Sequence, residues 1–187
     1  GTTPAVRSVS TADVSPVGVT VRSLRQSIVP RADGLRSDSV YNYDVTAERQ
    51  NILFLSDHPL VPSGVGIQAN YVIRSLVKGG KYRVFCLGGA IQHPDYRAQE
   101  VSPEEFGQGN WIIQPVDGHG TKEQLREAIR QVNPVAVVLF TDPRFFLWVW
   151  EIEDEVRRRC PIFYWHVWDN DPAPDFNRVL YDSTDHT

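Results

Sequence analysis

NILFLSDHPLVPSGVG, residues 51–66, decides the fold of this 187-residue chain. An apolar run, Ile52 to Leu55, passes through a turn rich in Ser, Asp and Pro into Ser63-Gly64-Val65-Gly66. Beyond it Ala69, Val72, Ile73, Leu76 and Val77 recur at the 3.6-residue period of an amphipathic helix. The pattern predicts a strand, a glycine-bearing loop and a helix N-terminus. Glycine lets a ligand approach the backbone closely, and the free N–H groups of a first helical turn favour oxyanions. The unit therefore points to a site at the C-terminal edge of a parallel sheet. By itself it does not name a ligand.

Outward from this unit, strand and helix patterns alternate. Residues 82–87 read as a second strand closed by Gly88-Gly89, and residues 90–109, with Pro94 and Pro103, as a long surface loop. Residues 111–116 read as a third strand. Thr121 and Gln124 then form a capping box for a helix that buries Leu125, Ala128, Ile129 and Val132 and ends at Asn133-Pro134. Residues 135–140 are apolar throughout, as in a parallel strand covered on both faces. Asp142-Pro143 opens a helix with Asp at the N-cap and Pro at N1, and Arg157, Arg158 and Arg159 at its far end complement the dipole. An aromatic strand over residues 161–166 and a short helix over residues 175–181 complete the pattern. The fold class expected over residues 51–187 is α/β, a Rossmann-like parallel sheet with helices on both faces.

Residues 1–50 differ. They are rich in Ser, Thr, Val and Arg, with six arginines against five acidic residues, and carry no sustained helical period. They read as an extended arm, packed on the main domain, docked into a partner, or disordered. Over the whole chain the net charge of -4 argues against a broad nucleic-acid footprint, which needs a basic face. No apolar run reaches the ~20 residues of a membrane span. Two cysteines, Cys86 and Cys160, flank apolar segments and read as buried, reduced thiols, which fits a cytoplasmic location. The absence of methionine predicts a chain processed or excised from a longer one.

In such a sheet, ligands gather where strand C-termini meet the crossover loops. The polar residues expected there are Asp57 and His58 after the first strand, Asp142 after the fourth, and His166 with Asp169 after the fifth. Ser63, Gly64, Val65 and Gly66 lack the third glycine of a dinucleotide fingerprint and the Gly-Lys-Ser/Thr of a Walker loop. Two readings stand: glycines that permit a tight turn, or backbone amides that face a phosphate or sugar oxygen. His166 is either a hydrogen-bonded structural histidine or a donor to a sugar hydroxyl or developing anion. Asp142 either caps its helix or orients a ligand. Trp168 either joins the aromatic core or stacks on a sugar. His58, His93 and His119 sit in loops without metal-ligand spacing, so surface or turn roles are expected.

Taken together, these residues resemble the N-terminal, acceptor-side domain of a GT-B glycosyltransferase, close to glycosyltransferase family 4. The carriers are residues 51–66, the helix with its Gln-Ala-Asn-Tyr start and Leu-Val-Lys-Gly-Gly end, Asn133-Pro134 before an apolar strand, and Phe163-Tyr164-Trp165-His166. The resemblance implies a retaining sugar transfer from a nucleotide-sugar donor, with no cofactor and no metal. It implies His166 as the catalytic residue beside the donor sugar and Ser63, Gly64, Val65 and Gly66 as donor or phosphate binding. Asp57, Asp142, Trp168 and Asp169 would be acceptor binding. Family members carry a second, donor-binding domain with a paired-glutamate motif, which residues 1–187 do not contain, so catalysis by this chain alone is not expected. The alternative is a non-catalytic structural or binding module that reuses the fold, its arm over residues 1–50 docking into a larger assembly, viral or otherwise.

Overall fold

A computed structural model describes residues 21–23 (backbone only), 49–167, 171–172 and 174–187. Among them lie strands β1 (Val21–Ser23), β2 (Gln50–Asp57), β3 (Tyr82–Gly89), β4 (Gln99–Val101), β5 (Trp111–Pro115), β6 (Ala136–Phe140) and β7 (Ile162–Tyr164). The helices are α1 (Gly64–Lys78), α2 (Pro103–Phe106), α3 (Lys122–Val132), α4 (Leu147–Trp150), α5 (Glu153–Arg157) and α6 (Arg178–Asp182). One sheet runs in the order β1-β4-β5-β3-β2-β6-β7. Its members β5-β3-β2-β6-β7 are parallel in the 3-2-1-4-5 arrangement of a Rossmann-like fold, while at one edge β4 pairs antiparallel with β5 and β1 antiparallel with β4.

The two-residue period of each strand sorts its side chains into two cores. Ile52, Phe54, Val84, Cys86, Trp111 and Ile113 face α1 and its buried Ala69, Ile73 and Val77. Leu53, Leu55, Phe85, Leu87, Ile112, Val137 and Leu139 face α3, where Leu125, Ala128 and Val132 meet them. The capping box forms as read: Thr121 Oγ1 accepts from Gln124 N at 3.3 Å, and Gln124 Oε1 accepts from Thr121 N at 3.0 Å. Asn133 ends α3 in the left-handed region at φ 46°, and Asn51 Nδ2 donates to the freed carbonyl of Val132 at 2.7 Å.

Four local expectations are corrected. Gly88 and Gly89 do not close the second strand; they belong to it, opposite Ser56 and Asp57. Both must lack a side chain there: a Cβ on Gly88 would lie 2.9 Å from His58 Cδ2, and one on Gly89 would lie 2.3 Å from the Gly118 carbonyl. Residues 90–109 are not wholly loop, since they carry β4 and α2 and bury Ala98, Val101 and Phe106. The segment after Asp142 is no single helix. A 3-10 turn (Pro143–Phe146), α4 and α5 follow one another because the backbone leaves the helical region at the buried Phe146 (φ -111°, ψ 18°) and again at the buried Ile152 (φ -125°, ψ 16°). Finally, Val135 is exposed and Ala136 and Val138 are only partly covered. On that side β6 is screened by Trp165, stacked 4.1 Å from Phe140.

Of the arm expected over residues 1–50, only Val21–Ser23, Arg49 and Gln50 fall among the described residues. Val21–Ser23 pair antiparallel with Gln99–Val101, and Gln50 already belongs to β2. No helix of the described residues is long and apolar enough to cross a membrane.

Candidate functional site

β2 is flanked by β3, which leads away to one side, and β6, which begins the other half of the sheet. This is the topological switch point, where the crossovers diverge and leave a crevice at the carboxyl ends of the strands. Asp57 is the last residue of β2, and Thr141 follows the last residue of β6. Their side chains meet there: Thr141 Oγ1 donates to Asp57 Oδ1 at 3.3 Å. Ser63 Oγ donates to Asp57 Oδ2 at 3.1 Å, and His119 Nε2 lies 3.4 Å from Asp57 Oδ1. The Thr141 carbonyl in turn accepts from the Tyr164 hydroxyl, so β7 is tied to the same cluster.

His119 reaches Asp57 from 62 residues away because its loop is clamped to the end of β3. Ala90 N donates to the Gly118 carbonyl at 2.6 Å, and Val116 N donates to the Gly88 carbonyl at 3.0 Å. Gly118 and Gly120 flank the histidine at φ 55° and 88°, a backbone that side chains disfavour. The imidazole stacks on Phe145 with ring centres 4.4 Å apart and meets the edge of Phe146 at 5.7 Å. The side chains of Asp57 and His119 keep 14% and 12% of their surface exposed, enough to be met by a ligand.

Ser63 links this cluster to α1. Its Oγ accepts from Gly66 N at 2.9 Å while donating to Asp57, and its carbonyl accepts the first helical bond from Ile67 N. The amides of Gly64 and Val65 are thus the first-turn donors outside both the cap and the helical ladder. Gly66 answers to packing: a Cβ there would sit 2.8 Å from the carbonyls of His58 and Val61. Gly64 has open space where a Cβ would go. The tight-turn reading thus fits Gly66, and the ligand-facing reading is left to Gly64 and Val65.

The other expected residues lie apart from this cluster. Asp142 caps its 3-10 turn, accepting from Arg144 N at 2.9 Å, and pairs with the Arg144 guanidinium, which holds its carboxyl below the usual range. His166 packs edge-on against Tyr181 of α6 at 4.6 Å, with Tyr164 beyond. Trp168 and Asp169 lie outside the described residues.

His58 and His119 lie at turns, as expected, yet neither is a freely exposed side chain. His119 belongs to the Asp57 cluster. His58 is only 4% exposed, its Nδ1 accepting from Leu60 N at 3.2 Å. Burial, with His93 4.6 Å away ring to ring, pushes the His58 pKa down to about 4. The signal for His119 was present in Gly118-His119-Gly120 after a strand, but nothing in spacing told which strand end it would meet. Thr141 gave no signal at all.

Cys86 and Cys160 are both buried free thiols, and burial raises them to about 12 and about 11. Among the described residues no group of three or more His, Cys, Asp or Glu is placed to hold a metal ion. Searches of protein-family models, curated proteins and solved structures find no match to this chain.

Proposed function

We propose that this chain is the acceptor-side half of a retaining glycosyltransferase that moves a sugar from a nucleotide-sugar donor. The observation that carries the reading is the side-chain cluster at the β2–β6 switch point. There a carboxylate, two hydroxyls and an imidazole converge beside the N-terminus of α1. Uncharged polyols are recognised by such clusters of planar polar groups and hydroxyls, and diphosphates by first-turn amides. In this reading the Gly64 and Val65 amides face the diphosphate or donor sugar, and Asp57 with its neighbours holds the acceptor. His166 keeps the role that the sequence resemblance implies, hydrogen bonding to the donor sugar. His166→Ala then cuts turnover about a hundredfold, the scale of one lost electrostatic donor. The buried free thiols suit a reducing cytoplasm.

The test is release of nucleoside diphosphate from a panel of nucleotide sugars with saccharide acceptors, alongside amide NMR titrations with the same panel. Turnover, or shifts confined to residues 57–66 and the loop at 117–120, supports the reading. A panel that neither turns over nor perturbs these amides removes it.

One observation favours a second reading, a non-catalytic docking module. Val21–Ser23 extend the sheet by strand addition, the same mode by which such an arm would add to a partner's edge. Deleting residues 1–50 separates the two. Loss of assembly with the domain still folded supports docking, and unchanged assembly counts against it.

A further inference from the structure

The crevice holds one imidazole whose tautomer its neighbours dictate. Asp57 already accepts from two hydroxyls, Ser63 Oγ on Oδ2 and Thr141 Oγ1 on Oδ1. A carboxylate in that setting is an acceptor only, so the nitrogen facing it, His119 Nε2, carries the hydrogen. In the neutral ring Nδ1 then presents a bare lone pair. That nitrogen has no hydrogen-bond partner among the described residues, and it is not one of the buried unpaired atoms, as His58 Nε2 and His93 Nε2 are. The side chain as a whole keeps 12% of its surface exposed.

The ring is also held in place. Phe145 stacks on it, Gly118 and Gly120 give its loop left-handed turns, and the missing Cβ of Gly89 lets that loop seat at 2.3–3.0 Å from where the Cβ would lie. Such restraint fixes the direction of the Nδ1 lone pair before any ligand arrives, which lowers the entropic cost of a hydrogen bond to it. Phe145, 53% exposed, adds an apolar ring beside the imidazole, suited to the C–H face of a sugar.

We infer that His119 Nδ1 is a hydroxyl-binding atom, accepting a hydrogen bond from a neutral polyhydroxylated ligand, and that Asp57 is the residue that sets its tautomer. The inference rests on the acceptor reading above and names the atom that meets the acceptor. A lone pair backed by a carboxylate repels anions, so phosphate is not the group bound here. An anionic donor belongs instead to the amides of Gly64 and Val65.

Nitrogen-15 NMR of the imidazoles at about pH 8, above the ordinary histidine range, reads the tautomer directly in the unaltered chain. The expected form is Nε2–H with a bare Nδ1, giving way to a mixture in Asp57→Asn. Titration with glucose, mannose, N-acetylglucosamine and myo-inositol then tests binding. At least one of them is expected to shift the His119 Nδ1 resonance, and His119→Ala to weaken its binding about tenfold, as for one lost hydrogen bond. An Nδ1–H tautomer in the unaltered protein overturns the inference without any variant. A sugar that shifts the residue 57–66 amides but leaves His119 Nδ1 unmoved overturns it while the acceptor reading stands. No shift with any of the four sugars overturns the inference, and the nucleotide-sugar panel then decides the acceptor reading by itself.

Discussion

Asp57 and His58 are neighbours in the chain, yet the end of β2 sends them to opposite faces of the sheet. Asp57 turns toward the α3 side, where His119 rests against Phe146 of that core. His58 turns toward the α1 side, its ring over Gly88 beside Ile113. The carboxylate meets three potential donors and stays partly reachable. The imidazole uses one nitrogen on the Leu60 amide and buries the other, Nε2, with no hydrogen-bond partner. Adjacent polar residues at one strand end can thus have opposite characters: one satisfied and accessible, fit to meet a ligand, the other a buried plug whose polarity is a cost. Proximity to the crevice alone does not tell them apart; the state of each polar atom does.

The largest expected effect falls on the buried side. His58 has its pKa lowered to about 4 against an ordinary 6.5. Because the folded value lies below the unfolded one, the unfolded chain takes up the proton first. The stability associated with neutral His58 is whole above pH 6.5 and is lost as the pH falls toward 4, by about 3 kcal/mol. Denaturant unfolding across this window should show that loss, and His58→Asn, which keeps an acceptor for the Leu60 amide, should flatten it. An unchanged slope in that variant would separate His58 from acid sensitivity.

The two glycines opposite these residues sharpen the contrast. Gly89→Ala forces a Cβ against the Gly118 carbonyl and His119 Cα, both backbone, at a cost of about 1–3 kcal/mol. It should also abolish the His119–Asp57 contact in the imidazole spectrum. Gly88→Ala presses on the His58 ring and Ile113 instead, so it should destabilise by a similar or smaller amount and leave the His119 spectrum intact. Smaller still, Thr141→Val removes one donor from Asp57 and should cost about 1 kcal/mol by thermal unfolding. Smallest is Gly64→Ala. Its site is open, so stability should change by less than about 0.5 kcal/mol, whereas Gly66→Ala meets two carbonyls and should unfold far more easily.

Much of the fold was legible because it is periodic and local. The apolar run before the glycine loop, the spacing of Ala69, Ile73 and Val77, and the Thr121–Gln124 box each declare themselves within a few residues. Gly88 and Gly89 misled because glycine weakens a strand by propensity, yet here it is required by what lies across from it, the His58 ring and the Gly118 carbonyl. The run after Asp142 misled because its Asp-Pro start and triple-arginine end mark helix termini but not the breaks at Phe146 and Ile152 between them. Asp57 and Ser63 could be named as candidates from one turn of sequence. His119 and Thr141 could not, since their meeting with Asp57 spans 62 and 84 residues and is fixed by sheet order and register.

The most direct test of the account compares the two neighbours in binding. A sugar that shifts the crevice resonances is titrated into Asp57→Asn and into His58→Asn, with folding of both checked by the dispersion of their spectra. Binding to Asp57→Asn should be about tenfold weaker, the equivalent of one or two lost hydrogen bonds, and affinity for His58→Asn unchanged. Equal losses in both, or a loss only in His58→Asn, would contradict it.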